Sequence, residues 1–266
     1  MVNAILFDLD GVLYQKDEII PGAPEAMAWV QARRIPHMFL TNTTSRPRRA
    51  LVEKLGQLGI SVQEDQILAP PVAAAAWLKT HVSGPIALFV SPATQEEFSA
   101  LPQVSDTAEQ GAAAVVVGDL GESWDFATLN RAFRLLMDNP QPVLIALGMT
   151  RYWHAPDGLR LDTAPFVVAL EHATETRAVV LGKPAAPYFQ TALDRLGQPA
   201  SQTVMIGDDI RADIGSAQQL GLCGILVKTG KFRSSDFQHG IEPDAVLDSI
   251  ADLPAWWDTQ RSMASP

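Results

Sequence analysis

Short apolar runs and helical spacings alternate along nearly the whole chain, and this alternation predicts strands and helices following one another around a parallel sheet. Ala4–Phe7 reads as a buried strand, and the stretch from Pro24 to Arg34 as a helix with its proline in the first turn. Met38–Leu40 is a second short strand. Leu51, Leu55 and Leu58 then fall on one helical face that Gly59 ends, and Pro70-Pro71 opens an alanine-rich helix reaching His81.

The middle of the chain repeats the alternation on its own account. Ile86–Val90, Ala113–Val117 and Val143–Leu147 read as strands, with Phe126, Leu129, Phe133 and Leu136 at helical spacing between the last two. Pro165 begins a further helix carrying Phe166 and Leu170. The first pattern then resumes: strand Ala178–Leu181, helix Tyr188–Leu196, strand Thr203–Ile206, helix Arg211–Leu220 and strand Gly224–Val227. Trp256 and Trp257 are expected to pack on the core before a frayed tail.

Polar residues stand where these apolar runs stop. Asp8, Thr41, Lys183 and Asp208 each follow a run that reads as a strand. Ligands of open α/β sheets bind beyond the carboxyl ends of the strands, where the strand order reverses. The four positions converge if residues 80–177 form an insertion, with 1–79 and 178–266 as the two parts of one core.

Composition narrows the function without deciding it. The 266 residues are 47% hydrophobic and carry a formal net charge of −10, which gives no attraction to a nucleic-acid backbone. An anionic substrate must therefore be drawn by a local site. One cysteine, Cys223, precludes an intrachain disulfide and reads as a buried strand residue. No basic leader is evident, and no segment approaches the roughly 18 apolar residues of a membrane span. A cytoplasmic protein with no membrane partner is expected.

Asp8-Leu9-Asp10-Gly11-Val12 offers two carboxylates at a strand end. Asp8 would attack phosphorus and form an aspartyl phosphate, while Asp10 would protonate the departing oxygen and then take a proton from water. The same stretch, taken alone, fits a strand ending in an acidic turn equally well. Gly207-Asp208-Asp209, with Asp213 beyond, is the second cluster. Its carboxylates repel unless a cation neutralises them. Asp8, the Asp10 carbonyl and Asp208, with a phosphate oxygen and waters, would make the all-oxygen shell that suits Mg²⁺. Asp209 and Asp213 would orient the ligands or the lysine. Helix capping accounts for one of these aspartates, not for three. Thr41-Asn42-Thr43-Thr44 and Gly182-Lys183-Pro184 supply hydroxyl, N–H and ammonium groups suited to a phosphoryl group. Singly, each reads as a capping loop and a turn.

This order of motifs resembles the haloacid dehalogenase superfamily, through Asp8-x-Asp10-Gly-Val, Thr41-Asn42, Lys183 in Gly-Lys-Pro, and Gly207-Asp208-Asp209 with Asp213. The long interval between Thr41 and Lys183 is similar to the subclass (IIA) with a C2 cap inserted there. Likeness extends through Gly121–Ser123, Pro142–Ile145, Leu147–Tyr152, Val204–Asp209 and Thr229–Arg233. The resemblance implies a three-layer Rossmann-like core with a parallel sheet and an inserted α/β cap. It implies a nucleophile at Asp8, an acid/base at Asp10, phosphate contacts at Thr41, Asn42 and Lys183, Mg²⁺ at Asp8, Asp10 and Asp208, and a homodimer. Asp10 favours phosphatase over dehalogenase chemistry, because only the former must protonate its leaving group.

The activity that the resemblance implies is Mg²⁺-dependent hydrolysis of a small phosphorylated substrate, with pyrophosphate, phospholysine and phosphohistidine leading. Sugar phosphates, nucleotides and phosphoglycolate-type acids are the alternatives. A phosphate-binding regulatory module with little turnover is the reading from another class, and it leaves Asp10 without a use. The cap would set specificity through Gly148–His154, where Arg151 or His154 would meet a charged leaving group. Tyr152 and Trp153 are expected to pack inside the cap. A closing cap leaves room for small substrates only. No Gly-x-Gly-x-x-Gly follows a strand and no P-loop occurs, which excludes the usual nucleotide-binding oxidoreductase pattern.

Overall fold

The computed structural model describes residues 2–44, 46–155 and 157–263. Along the chain run β1 (Ala4–Asp8), β2 (Tyr14–Gln15), β3 (Glu18–Ile19), α1 (Ala23–Ala32), β4 (His37–Leu40), α2 (Arg48–Gln57), β5 (Ile67–Leu68) and α3 (Pro70–His81). There follow β6 (Ile86–Phe89), α4 (Pro92–Gln95), β7 (Ala114–Val117), α5 (Phe126–Leu136), β8 (Val143–Ala146), β9 (Tyr152–Ala155), β10 (Gly158–Leu161), α6 (Thr163–Thr174) and β11 (Val179–Val180). The last elements are α7 (Ala186–Leu196), β12 (Thr203–Gly207), α8 (Ser216–Gln219), β13 (Cys223–Val227), β14 (Ala245–Leu247) and α9 (Leu253–Met263). Two compact units share them, one of residues 1–41, 48–68 and 189–266, the other of residues 42–47 and 69–188.

The first unit is built on a six-stranded parallel sheet in the order β14-β13-β12-β1-β4-β5. Every residue of β1 and β12 is buried, as expected of central strands covered on both faces. Alternate residues therefore point to two cores. Ile5, Phe7, Val204 and Ile206 face α1 and Trp257, while Leu226 packs with Ile210 and Ile214 on the other side. Each such side chain contributes about 1.5–3 kcal/mol by leaving water. From β1 the chain moves to β4 and β5 on one side, and later to β12 on the other. The reversal of strand order thus falls at β1, and the carboxyl end of β1 is Asp8.

The second unit holds a four-stranded parallel sheet, β11-β8-β7-β6, packed against α5 and α6. The run from Ala178 to Leu181, read as the resumption of the first pattern, belongs to this sheet instead. Val179 and Val180 pair with Ile145 and Ala146, and the Leu181 N–H donates to the Ala146 carbonyl at 2.8 Å. A short apolar run predicts a strand but not the sheet it joins. β9 and β10 form a separate antiparallel ribbon that the apolar pattern does not announce. Tyr152 and Trp153 lie on it and are 50% and 42% exposed, so they do not pack inside as expected. A two-stranded ribbon can cover only one of its faces. The Arg151 guanidinium lies 5.9 Å from the Tyr152 ring, and the His154 side chain lies outside the described residues.

Two helix boundaries also differ from the spacing. α6 begins at Thr163 rather than Pro165, because the Asp162 carboxylate accepts the Thr163 N–H and caps it. The stretch read as one helix from Arg211 opens as a π-helical turn, Ile210–Gly215, before α8. There the Ser216 hydroxyl donates to the carbonyls of Arg211 and Ala212 at 2.7 and 2.9 Å.

Candidate active site

Asp8 closes β1 and is buried. In register it lies opposite Leu40, the residue before Thr41, and Phe7 lies opposite Ile206, two residues before Asp208. Asp8, Thr41 and Asp208 therefore share one edge of the six-stranded sheet, at the point where its strand order reverses. Thr41 is buried, and its N–H donates to the Leu68 carbonyl at 3.1 Å.

The carboxylates of Asp8, Asp208 and Asp213 each offer an oxygen within 4.8 Å of the other two, and all three residues are buried. Like charges at that distance repel by roughly 3 kcal/mol per pair at an effective dielectric of about 20. Three anions here call for positive charge close by.

Asp213 reaches the cluster through local backbone geometry. The Asp209 carboxylate caps the π-helical turn by accepting the N–H groups of Arg211 and Ala212 at 3.0 and 2.9 Å. The turn carries Asp213 back towards β12, where Oδ2 accepts the Asp209 N–H at 3.2 Å. Gly207 makes room, because a Cβ there would overlap the Asp213 side chain. Asp209 thus has the capping role and Asp213 stands among the clustered carboxylates.

Asp208 is held by a loop in which the sequence marks no role. The Lys231 N–H donates to Asp208 Oδ2 at 2.6 Å, and the Thr229 hydroxyl donates to the Gly11 carbonyl. A Cβ on either Gly11 or Gly230 would overlap the Asp208 carboxylate, and both glycines have positive φ, 95° and 63°. Residues 229–231 act through backbone, which side-chain chemistry does not reveal.

Asp10 lies outside the buried trio, with an exposed side chain. It forms a bridge with Tyr14, and the Gly11 N–H donates to the Tyr14 carbonyl at 2.6 Å.

In the second unit, Lys183 follows β11 and is buried. Its peptide is gripped by Asn42: the Lys183 N–H donates to Oδ1 at 2.8 Å, and Nδ2 donates to the Lys183 carbonyl at 2.9 Å. Gly182 permits this approach, since a Cβ there would meet the Leu147 carbonyl at 2.8 Å and Asn42 Oδ1 at 3.3 Å. Beyond Asn42, the Thr44 carbonyl accepts the Thr94 hydroxyl at 2.7 Å.

An open groove of about 620 Å³ borders Arg34, His37, Gln66 and Arg195 at the amino-terminal end of β4, the opposite edge from Asp8.

The donors clustered at Asp8, Asp208 and Asp213 are hard oxygens, which fit Mg²⁺ and do not fit a soft metal. A parallel α/β sheet bearing buried carboxylates at its switch point offers hard-oxygen donors where ligands of such sheets bind. A family model described as haloacid dehalogenase-like hydrolase matches residues 5–101, and a second, HAD-hydrolase-like, matches 180–253. The phospholysine phosphohistidine inorganic pyrophosphate phosphatase of Homo sapiens is 38% identical over 256 residues, covering 94% of this chain and 92% of that one. The Homo sapiens haloacid dehalogenase-like hydrolase domain-containing protein 2 is 40% identical over 246 residues, covering 92% and 91%. The solved p-nitrophenyl phosphatase from Archaeoglobus fulgidus superposes with a TM-score of 0.85 at 28% identity, covering 96% and 99%. The chain belongs to the haloacid dehalogenase-like hydrolase family and is a phosphatase-type enzyme of that family.

Proposed function

We propose that this chain is a Mg²⁺-dependent phosphatase that passes the phosphoryl group of a small substrate through an aspartyl phosphate on Asp8. The observation carrying this reading is the buried Asp8–Asp208–Asp213 cluster at the strand-order reversal, with Asp10 two residues beyond the nucleophile. Asp8, the Asp10 carbonyl and Asp208 would hold the ion, with Asp213 beside them. When bound, Mg²⁺ would neutralise the clustered carboxylates and the charge of the phosphoryl oxygens.

The chain's own groups then divide the reaction. An Asp8 oxygen bonds to phosphorus as the bond to the leaving group breaks, and the Asp10 carboxyl proton passes to the departing atom. Asp10, now a carboxylate, takes a proton from water as that water's oxygen bonds to phosphorus. The Asp8–phosphorus bond breaks, and inorganic phosphate leaves. Thr41, Asn42 and Lys183 bind phosphoryl oxygens, and Asn42 also sets the Lys183 backbone.

Residues 80–177 act as a C2 cap, and the enzyme works as a cytoplasmic homodimer. Among the described residues no helix is long and apolar enough to cross a membrane. The name of the Homo sapiens relative supports pyrophosphate, phospholysine and phosphohistidine as substrates. Sugar phosphates, nucleotides and phosphoglycolate-type acids form the competing set. Comparing kcat/KM across these classes, with Mg²⁺ and with chelator, tests the reading. Turnover that survives chelation, or an Asp8→Asn variant as active as wild type on an aryl phosphate, refutes it.

A further inference from the structure

The hairpin of β2 and β3 directly follows Asp10, and one side chain from α2 holds it at three points. The Lys54 ammonium donates to the Lys16 carbonyl and to Asp17 Oδ1, the latter at 3.1 Å, and lies 4.2 Å from the centroid of the Tyr14 ring. Lys16 and Asp17 form the tip of the hairpin, where Lys16 takes a left-handed φ of 55° and its carbonyl accepts from the ammonium. Tyr14 lies in the first strand. The lysine thus grips both ends of a hairpin whose strand ladder is only two residues long.

The helix beneath is a firm base. Leu51 and Leu55 of α2 are 2% and 0% exposed within the core that also contains Leu9, Leu13 and Tyr14. The Lys54 side chain is only 17% exposed, which strengthens its attraction to the ring and to the oxygens.

From the hairpin the path to Asp10 is short and made of backbone bonds. Asp10 bridges Tyr14, the Gly11 N–H donates to the Tyr14 carbonyl, and the Leu13 N–H donates to the Leu9 carbonyl at 2.9 Å. The Ile20 N–H returns to the Leu13 carbonyl at 3.0 Å and closes the loop. Asp10 is exposed, and the backbone of this hairpin sets the point from which its carboxyl group extends.

We infer that Lys54 is a positioning residue for the acid/base step: it latches the β2–β3 hairpin and thereby aims Asp10 at the leaving group. This rests on the reading of Asp10 as the proton donor. A proton donor matters most where the leaving atom departs as a strong base, and least where it departs as a stabilised phenolate.

The test compares wild type with Lys54→Met, Lys54→Arg and Asp17→Asn, using glycerol phosphate and p-nitrophenyl phosphate as substrates. In Lys54→Met, kcat/KM for glycerol phosphate falls about tenfold or more, while that for p-nitrophenyl phosphate stays within about threefold. Lys54→Arg, which keeps a cation over the ring, restores most of the loss. Asp17→Asn, altering a side chain that is 93% exposed, gives a smaller loss in the same sense. Hydrogen–deuterium exchange of residues 11–20, measured without substrate or metal, rises in Lys54→Met and not in Lys54→Arg. Equal losses on both substrates, or wild-type exchange in Lys54→Met, overturn the inference while leaving the phosphatase reading intact. A wild-type enzyme inert towards both phosphates defeats that reading and this inference together.

Discussion

Asn42 closes both ends of the Lys183 peptide, accepting its N–H at 2.8 Å and donating to its carbonyl at 2.9 Å. A residue 141 positions away in sequence thereby fixes the backbone from which the buried ammonium extends. In the proposed reading Asn42, with both ends of its carboxamide engaged on that peptide, would also act on phosphate by fixing the lysine. Asn42→Asp keeps the shape but sets an anion against the Lys183 carbonyl. Activity on p-nitrophenyl phosphate should fall about 10- to 100-fold, the range seen when a supporting partner of a binding group is lost. Steady-state kinetics check this, and a variant within twofold of wild type by rough count would remove Asn42 from the account.

Gly230 is required by both its conformation and its neighbour. Its φ is 63°, and a Cβ would overlap the Asp208 carboxylate. Gly230→Ala should destabilise the fold by about 1–2 kcal/mol through the left-handed backbone alone. It should also raise the Mg²⁺ concentration needed for half-maximal activity about tenfold or more, because Asp208 is displaced. Urea unfolding and a Mg²⁺ titration separate the two effects. Gly59, whose φ is 84° with open space around it, is the control that changes stability only.

His37 makes stability depend on pH in a direction set by burial. Burial pushes its pKa below the ordinary 6.5, against the raising effect of the bond to the Ile35 carbonyl. The ring makes that bond at 2.8 Å through Nδ1, faces Gln66 Nε2 at 3.1 Å through Nε2, and stands edge-on to Phe7 and Phe39. This arrangement suits the neutral ring, with Nδ1–H donating and Nε2 accepting. The unfolded chain therefore binds the proton more readily, so the stabilisation is complete above pH 6.5 and is lost as pH falls through the lower folded value. Tm measured from pH 7.5 down to about 5.5 should drop more steeply in wild type than in His37→Gln. Parallel curves would contradict it.

How much of this was legible in the chain depends on which atoms do the work. Asp8, Thr41 and Asp208 end apolar runs, and side chains at strand ends are what hydrophobic patterning locates best. Asp213 was visible in the second acidic cluster beside Asp208 and Asp209, but its approach to Asp8 was not. Its reach depends on a π-helical turn and on the missing side chain of Gly207, and a regular helical spacing predicts neither. The 229–231 loop contributes an N–H, a hydroxyl bond to Gly11 and a glycine conformation, all hidden from a reading by side-chain type. β2, β3 and β14 span two or three residues each, too few to show a period. Lys183 was legible as a strand-end residue, whereas the sheet its strand joins was decided by pairing between β11 and β8.

Cys223 should be unreactive in the folded protein. Burial first, and then the nearby Asp244 carboxylate, push its thiol up to about 12. At pH 8 the thiolate that reacts with iodoacetamide is scarce, and labelling should be at least about a hundredfold slower than in urea. Mass spectrometry of native and unfolded samples reads the difference, and equal rates would contradict it.

The central claim concerns where the phosphoryl group goes, and acid quenching during turnover reports on it directly. Wild-type enzyme quenched within milliseconds of mixing with p-nitrophenyl phosphate and Mg²⁺, then digested, should carry an acid-stable, hydroxylamine-labile phosphoryl group on the peptide containing Asp8. Asp8→Asn should carry none and release no phosphate. A phosphoryl group on any other residue, or steady phosphate release by Asp8→Asn, would contradict the account.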